Sequence, residues 1–437
     1  MMRSLAVLSL LSPALAATSG TFNVLSFNVA GLPEIINGND VPGDKTENTK
    51  MIGERFAEYG YDVIHVQEDF NYHAALYETD THAYRTATSG GVPFGSGLNT
   101  LSNYDWIDFE RVKWETCSQA SGADCLTPKG FTVMRVRFEE GVYADFYNLH
   151  ADAGSEDEDV EARSANLQQV ADYIANNSLG NAVLVFGDTN ARYTSSGENI
   201  RVFETQEDMT NPWVELVLDG EQPEEGIDAI KCENPSTVKT CETVDKIFYR
   251  GSPALTLKAT SWAYEDEKFL NNGSILSDHN PISSDFSWTK SDSFRLSDLY
   301  GGPHGTWFND LPNLPTTTGL KTSAISLSGE NRVDSISLTL SNGDTIKHGG
   351  TGGTAQELTL ADDEYWTKTR LCQGKYNNHT RIFYIAVTTD QGNSVSVGKE
   401  TDECVEYEAE DGWGVVGAWG RSGDEVDMLG VVYGPVV

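Results

Sequence analysis

The hydrophobic pattern changes once along the chain, near Ser291, and that change limits the fold more than any other feature. Before it, short apolar runs alternate with two stretches of helical period. After it, Gly, Ser and Thr dominate and only alternation of period two remains. Recurrence every second residue marks half-buried strands, and recurrence near 3.6 marks amphipathic helices. The 437 residues therefore divide into a mixed α/β part, residues 18–290, and an all-β part, residues 294–437.

In the first part residues 22–27 (FNVLSF), 62–66 (DVIHV), 131–138, 142–149, 182–186 (AVLVF), 244–249 (VDKIFY) and 282–286 predict strands. Residues 46–59, with Ile52, Phe56 and Tyr59, predict one helix. A second helix follows Ser155-Glu-Asp-Glu158, which has the spacing of a capping box, with Val160, Leu167, Val170, Ala171 and Ile174 at helical positions. The acidic run 156–159 then complements a helix N-terminus and is not a metal site. In the second part residues 323–327, 333–340, 382–387 and 394–397 predict strands separated by Gly and Asn-Gly breaks. The link at 288–295 is short, which predicts that the two parts touch.

The first 17 residues have the pattern of a secretory signal: Arg3, an apolar stretch from Leu5 to Leu15, and small residues at Ala14-Leu15-Ala16. The stretch is shorter than the roughly 20 apolar residues that span a bilayer, and no later segment is long enough. An extracellular protein follows as the expectation. Six cysteines after such a signal imply disulfides. Fifteen pairings are open, and sequence proximity favours Cys117–Cys125, Cys232–Cys241 and Cys372–Cys404. None lies in a Cys-x-x-Cys pair, which argues against zinc. Asn176, Asn272 and Asn378 begin glycosylation sequons and predict surface loops of a glycoprotein.

With 66 acidic and 30 basic residues the net charge is -36, spread over both parts. That balance argues against a protein that lays a basic face on a polyanion, because such affinity comes from Lys and Arg displacing counterions. A local phosphate site built on a divalent cation stays open.

Catalytic side chains collect where buried strands end in polar clusters. His65-Val-Gln-Glu68-Asp69, Asn148-Leu-His150, Gly187-Asp188-Thr-Asn190 and Ser277-Asp278-His279 are such places, and Asn28 leaves the first strand in the same way. Carboxylate and amide oxygens suit a hard cation: Mg²⁺, with Mn²⁺ and Ca²⁺ as alternatives. A hard cation beside His and Asp is what phosphate-ester hydrolysis needs. A Gly-x-Ser-x-Gly elbow, a His-Glu-x-x-His zinc motif, a P-loop and a dinucleotide fingerprint are all absent.

In this order, Asn28, Gln67-Glu68, Asn148-Leu149-His150, Gly187-Asp188-Thr189-Asn190, Asp245 and Ser277-Asp278-His279 resemble the endonuclease/exonuclease/phosphatase superfamily over residues 21–288. The resemblance implies a four-layer α/β sandwich of two packed mixed sheets flanked by helices. It makes Glu68 the principal metal ligand, with Asn28 and Asp278 at the same metal. It assigns Asp188 and Asn190 to orienting water or a phosphoryl oxygen, and His150 to hydrogen-bonding the phosphate. His279 becomes the general base, oriented by Asp245, since a carboxylate behind an imidazole fixes its tautomer and raises its basicity. Read alone, Asp245 could equally pair with Lys246 or Arg250. His65, His73 and His82 match no motif of the family and are expected to be structural or exposed.

The second part resembles a jacalin-type lectin, an all-β prism, over residues 294–433. The resemblance rests on Tyr300-Gly-Gly-Pro-His-Gly305, His348-Gly-Gly-Thr-Gly-Gly353 and the segment 416–427. A terminal Gly-x-x-x-Asp loop grips sugar in that family, which makes Gly423, Asp424, Glu425 (through its main chain) and Asp427 the glycan-binding candidates. Carboxylates accept hydroxyl hydrogen bonds, and glycine lets backbone approach a sugar ring. The opening loop departs from the family pattern: Thr306-Trp-Phe-Asn309 stands where a double Gly precedes an acidic pair.

The expected substrate is a phosphate ester. A sphingomyelinase-like phospholipase C acting on phospholipid head groups is favoured, because an acidic protein repels nucleic acid but not a zwitterionic head group. A secreted nuclease resembling pancreatic deoxyribonuclease is the alternative. A lectin or adhesin with an inactive first part is the alternative of another class, opposed by the intact acidic and histidine set. In sphingomyelinase-like relatives an exposed aromatic hairpin that touches membrane lies near residues 261–269. Trp262, Tyr264 and Phe269 are the candidates for it here, against a stronger reading in which they pack as strand and turn.

Overall fold

The computed structural model describes residues 17–35, 40–120, 124–316 and 319–436. The expected signal segment lies outside them, apart from Ala17.

The first part runs β1 (Ser19–Asn28), α1 (Lys45–Tyr59), β2 (Val63–Gln67), α2 (His73–Thr79), β3 (Tyr84–Arg85), β4 (Asn99–Ser102), β5 (Trp106–Lys113), β6 (Gly130–Glu139) and β7 (Val142–Leu149). Then follow α3 (Asp157–Asn177), β8 (Ala182–Asp188), α4 (Val202–Thr205), α5 (Pro212–Leu216), β9 (Asp245–Arg250), β10 (Leu255–Tyr264), the short hairpin β11 (Leu270–Asn271) and β12 (Ser274–Ile275), and β13 (Ile282–Lys290). One sheet has the order β10-β13-β1-β2-β4-β3, the other β5-β6-β7-β8-β9. Both mix parallel and antiparallel neighbours: β1 runs parallel to β2, and β7 to β8. Phe22 and Val24 of β1 meet Phe146, Val185 and Phe186 of the second sheet in one core. The alternate residues Leu25 and Phe27 face the opposite way, onto Ile52 and Phe56 of α1 and Leu76 of α2. On the second sheet, Tyr173 of α3 meets Phe131 and Tyr147 edge-on.

Each predicted strand forms. α1 begins at Lys45 because the Asp44 carboxylate accepts the Glu47 amide at 3.0 Å, and it ends on Gly60 in the left-handed region. The capping box of α3 sits one residue later than its sequence pattern suggests. Glu156 is the cap, and its N–H donates to the Asp159 carboxylate at 3.0 Å. A carboxylate at 156 accepts as well as a serine hydroxyl at 155, and Asp159 is short enough to reach back. Sequence reading missed α2, β4, β5 and β10, which have few apolar residues in a row or irregular alternation. Trp262 and Phe269 are buried in core and Tyr264 packs against it, so strand-and-turn packing holds at residues 261–269. The three proximity disulfides all form. Asn272 and Asn378 occupy exposed hairpin tips at positive φ, whereas Asn176 lies on the exposed face of α3, in a helix and not a loop.

The second part contains three sheets among the described residues. Two have four strands, around Thr322–Gly329 with Val333–Leu340 and around Trp366–Tyr376 with His379–Thr389. The third is built on Trp413–Ser422 and Val426–Pro435. All three contribute to one core that includes Ile325, Leu338, Trp366, Ile385 and Val431.

The two parts share a further core, in which Tyr143 and Ala254 pack with Trp307, Val416 and Trp419. At its edge Asp108 accepts from Arg135 Nε at 3.1 Å and from Arg421 Nε at 2.8 Å, while the Arg135 guanidinium lies 3.5 Å from the Trp307 ring centroid. The side chains of Asp108 and Arg135 are only 3% and 2% exposed. Breaking a buried pair is costly because the remaining charge loses its partner. Asp108 has φ 57°, a conformation that Asn also tolerates. We expect Asp108→Asn to cost about 3 kcal/mol and to lower the thermal midpoint by several degrees. An unchanged melting curve would show that this contact does not join the two parts.

Candidate functional site

The strand registers gather the polar clusters at one end of both sheets. Asn28 of β1 stands beside Gln67 of β2, and Asp188 of β8 stands opposite Asp245 of β9. Asn28, fully buried, bridges the sheets. Its Nδ2 donates to Glu68 Oε1 at 3.2 Å and to Asp188 Oδ2 at 3.1 Å, while its Oδ1 accepts from the Ala30 amide.

The loops here are strained. Among described non-glycine residues at positive φ, Ala30 and Glu68 are the two that are neither Asp nor Asn. Such conformations persist only where the surroundings enforce them. Lys45, buried, donates to the carbonyls of Ala30 and Leu32. Gly31 is obligatory, since a Cβ there would lie 2.3 Å from the Glu68 carbonyl oxygen.

His279 Nδ1 donates to Asp245 Oδ2 at 2.9 Å, and its Nε2 lies 3.7 Å from Asp188 Oδ2. Burial disfavours the charged imidazole, but Asp245 and Asp188 outweigh it and hold its pKa well above the ordinary histidine value. Burial raises the Asp245 pKa, and His279 opposes the rise. Burial also works against charge on Asp188, yet His279 and His150 keep its pKa below the usual carboxylate value. Of the two readings left open for Asp245, the histidine partner is realised. Lys246 turns to Glu242 and Arg250 to Glu207.

His150 behaves differently. Burial, then the Lys129 charge, lowers its pKa to about 3. His150 Nε2 lies 3.2 Å from Lys129 Nζ and 3.4 Å from Asp188 Oδ2, while Nδ1 is buried without a partner. Lys129 is held in turn by Asp124. Asn190 sits at φ 50°, its side-chain amide donating to the Ala151 carbonyl and its backbone N–H to Asp188 Oδ1. Asp278 is exposed beside this cluster, near enough to Glu68 to add to the rise in Glu68 pKa that burial mainly causes.

Sequence reasoning missed Lys129, Lys45 and Asn234. Asn234 Nδ2 donates to the carbonyls of Ser277 and His279, so the loop closed by Cys232–Cys241 holds the Ser277–His279 turn. The proximity of Asn234 to a disulfide was the available signal. Lys129 offered none, because it precedes a strand in an otherwise ordinary turn. His65, His73 and His82 are structural: His65 stacks on Phe186, His73 bonds to Asp69, and His82 is buried on Asp80.

The donors fit a hard cation. Glu68 Oε2 and Asp245 Oδ1 are buried without a hydrogen-bond partner. Ligand atoms of Asp188, Asp245 and His279 lie within 4.8 Å of one another. Of these, Asp245 Oδ2 is already engaged by His279 and Thr243. The orphaned oxygen of Glu68, beside Asn28, is therefore the better anchor for a cation.

In the turn between Trp413–Ser422 and Val426–Pro435 of the second part, Gly423 and Asp424 are exposed. The Glu425 side chain is clamped by Arg332 and Arg381, which leaves only its main chain for a ligand. Asp427 is 4% exposed, its Oδ1 has no hydrogen-bond partner, and a Cβ on Gly305 would come within 2.7 Å of Oδ2. Gly305, at φ 74°, thus packs against Asp427 where a larger residue would clash.

The chain belongs to endonuclease/exonuclease/phosphatase family 2, whose family model matches residues 42–285. Residues 297–432 match the jacalin-like lectin domain. Sphingomyelinases of Mycobacterium bovis and Mycobacterium tuberculosis are 38% identical over 271 residues, covering 60% of this chain and 52% of theirs. The chain thus spans about half the length of these curated relatives. Among solved structures, sphingomyelinase C from Streptomyces griseocarneus is 17% identical with a TM-score of 0.42, covering 61% of this chain and 99% of that one. A mannose-binding jacalin-related lectin from Ananas comosus is 18% identical with a TM-score of 0.29, covering 32% of this chain and 98% of that one.

In the metal-free protein we expect His150 to stay neutral until pH falls toward about 3. His279 should still carry both ring protons at neutral pH. Long-range ¹H–¹⁵N spectra read both states directly, and an imidazolium at His150 at neutral pH would refute this assignment.

Proposed function

We propose that the chain is a divalent-metal-dependent phosphodiesterase, a sphingomyelinase-like phospholipase C acting on phospholipid head groups, with a carbohydrate-binding module. The observation that carries this reading is the convergence of Glu68, Asn28 and Asp188 on one side with the Asp245–His279 pair on the other. Glu68 and Asn28, with Asp278 beside them, would hold the cation, and Mg²⁺ is the ion that hard oxygen donors favour. When bound, it supplies positive charge to the phosphoryl oxygens and the leaving oxygen.

The protein's own residues do the rest. Asp245 retains the Nδ1–H of His279 and so fixes the ring with Nε2 toward Asp188. In its neutral form His279 takes a proton from water at Nε2. Asp188 and Asn190 orient that water or a phosphoryl oxygen. His150 is kept neutral, so it offers a hydrogen bond and not a charge, and Lys129 provides the cationic side chain of that wall. The net charge of -36 favours a zwitterionic substrate over nucleic acid.

In this proposal residues 18–290 form a four-layer sandwich and residues 294–437 a β-prism whose Gly423, Asp424, Glu425 main chain and Asp427 meet a glycan. Three disulfides support an extracellular site of action, and no helix among the described residues is long and apolar enough to cross a membrane.

Glu68→Gln and His279→Ala should each lower sphingomyelin hydrolysis by about a thousandfold or more while leaving the circular dichroism spectrum unchanged, and excess EDTA should abolish wild-type turnover. Full activity in either variant, or faster cleavage of plasmid DNA than of sphingomyelin, would overturn the assignment. For the second part, Asp427→Ala should remove retention on mannose-agarose. Retention equal to wild type would discard the 423–427 loop as the sugar site.

A further inference from the structure

The apolar side chains most exposed to solvent are not scattered over the molecule. Ile35, on the loop that follows β1 and Asn28, is 95% exposed, Phe94 82%, Leu126 67%, Ile230 66% and Ile227 50%. Each lies on a loop that enters the candidate active site. Phe94 precedes β4, whose Asn99 donates to Asp69, and the Gly97 carbonyl accepts the Asp69 amide just beyond Glu68. Leu126 stands three residues before Lys129, the partner of His150. Ile227 and Ile230 lie on the segment that leads through Asn234 to Asp245, and Asn234 holds the His279 turn. The strand registers put the ends of all these loops on one side of the two sheets.

By contrast, the aromatic residues at 261–269 are packed inside, and the tip of the following hairpin is Asn271-Asn272-Gly273-Ser274, polar and exposed. Exposure of large apolar side chains costs solubility and marks an interaction surface when they surround a site.

We propose that Phe94, Leu126, Ile227 and Ile230 form an apolar rim that seats the active-site mouth on a neutral, zwitterionic phospholipid surface. This rests on the phospholipid reading above. Two features select that occupant. The four side chains are divided among three separate loops, an arrangement that a fluid interface accepts and that offers a folded protein no continuous patch. The same rim is acidic: Glu224, Glu225, Asp228 and Glu233, exposed beside the two isoleucines, outnumber the exposed Lys231. Anionic lipid is repelled by such a rim, whereas the outward trimethylammonium of a choline head group is not.

The test uses the full chain carrying Glu68→Gln, so that lipid is not consumed, with Mg²⁺ present. Co-sedimentation is measured with glycan-free phosphatidylcholine–sphingomyelin vesicles, with and without phosphatidylserine. Phe94→Ser and Ile230→Ser should each weaken vesicle binding about tenfold or more, as expected for withdrawing one large apolar side chain from lipid. Leu179→Ser, an exposed residue just before the far end of β8, should leave binding unchanged, and phosphatidylserine should weaken it. In the active enzyme the rim variants should hydrolyse the soluble p-nitrophenyl phosphorylcholine at the wild-type rate. Vesicle binding by the rim variants equal to wild type, tighter binding to anionic vesicles, or a wild-type dimer that the rim variants dissolve would each overturn the proposal. Absence of wild-type hydrolysis of the soluble substrate would instead count against the phosphodiesterase reading, independently of vesicle binding.

Discussion

The two sheets of the first part are tied together at the candidate site by one buried amide. Asn28 reaches from β1 to Glu68 beyond β2 and to Asp188 at the end of β8, so two carboxylates from different sheets share a single donor. Asp188 gains further partners in the Asn190 amide and His279, but Glu68 Oε2 is buried without a hydrogen-bond partner. An uncompensated buried charge is among the most expensive features a fold can keep. The strained backbones of Ala30 and Glu68 add to that cost. The arrangement is intelligible if a cation completes it, and the positions of His279, His150 and Lys129 follow from the same constraint.

Much of this was legible in the sequence, for a physical reason. Buried strands announce themselves by apolar runs, and the polar residues that end such runs stand out against them. FNVLSF followed by Asn28, DVIHV by Gln67-Glu68, and AVLVF by Gly-Asp-Thr-Asn showed where the site would be. What was illegible depends on residues distant in sequence with no pattern of their own. Lys129 acquires meaning only when β6 and β7 pair and bring His150 to it. The Asp108–Arg421 contact joins residues 313 apart, and neither one differs from an ordinary surface charge when read in line. Strands such as β5 and β10 were missed because their apolar residues alternate irregularly, with bulges at Ile107–Glu110 and Ala259–Ser261.

The second part shows the same balance between pattern and placement. The Gly423–Asp427 spacing was visible, but not that Arg332 and Arg381 would occupy the Glu425 carboxylate while Asp427 Oδ1, 3.6 Å from Arg381, is left without a hydrogen bond. Those contacts narrow the candidate sugar contacts to one side chain and a stretch of backbone. Because the two parts share a core at Tyr143, Trp307 and Trp419, a glycan held at that loop and a substrate held at Glu68 would be presented by one continuous body.

The central claim is that Glu68 anchors a hard cation beside the Asp245–His279 pair. Isothermal titration of Mg²⁺ into the full metal-free chain, wild type and Glu68→Ala side by side, tests it most directly. The account predicts a saturable site in the wild type that Glu68→Ala loses while its melting curve stays cooperative. Equal Mg²⁺ binding by both proteins would contradict it.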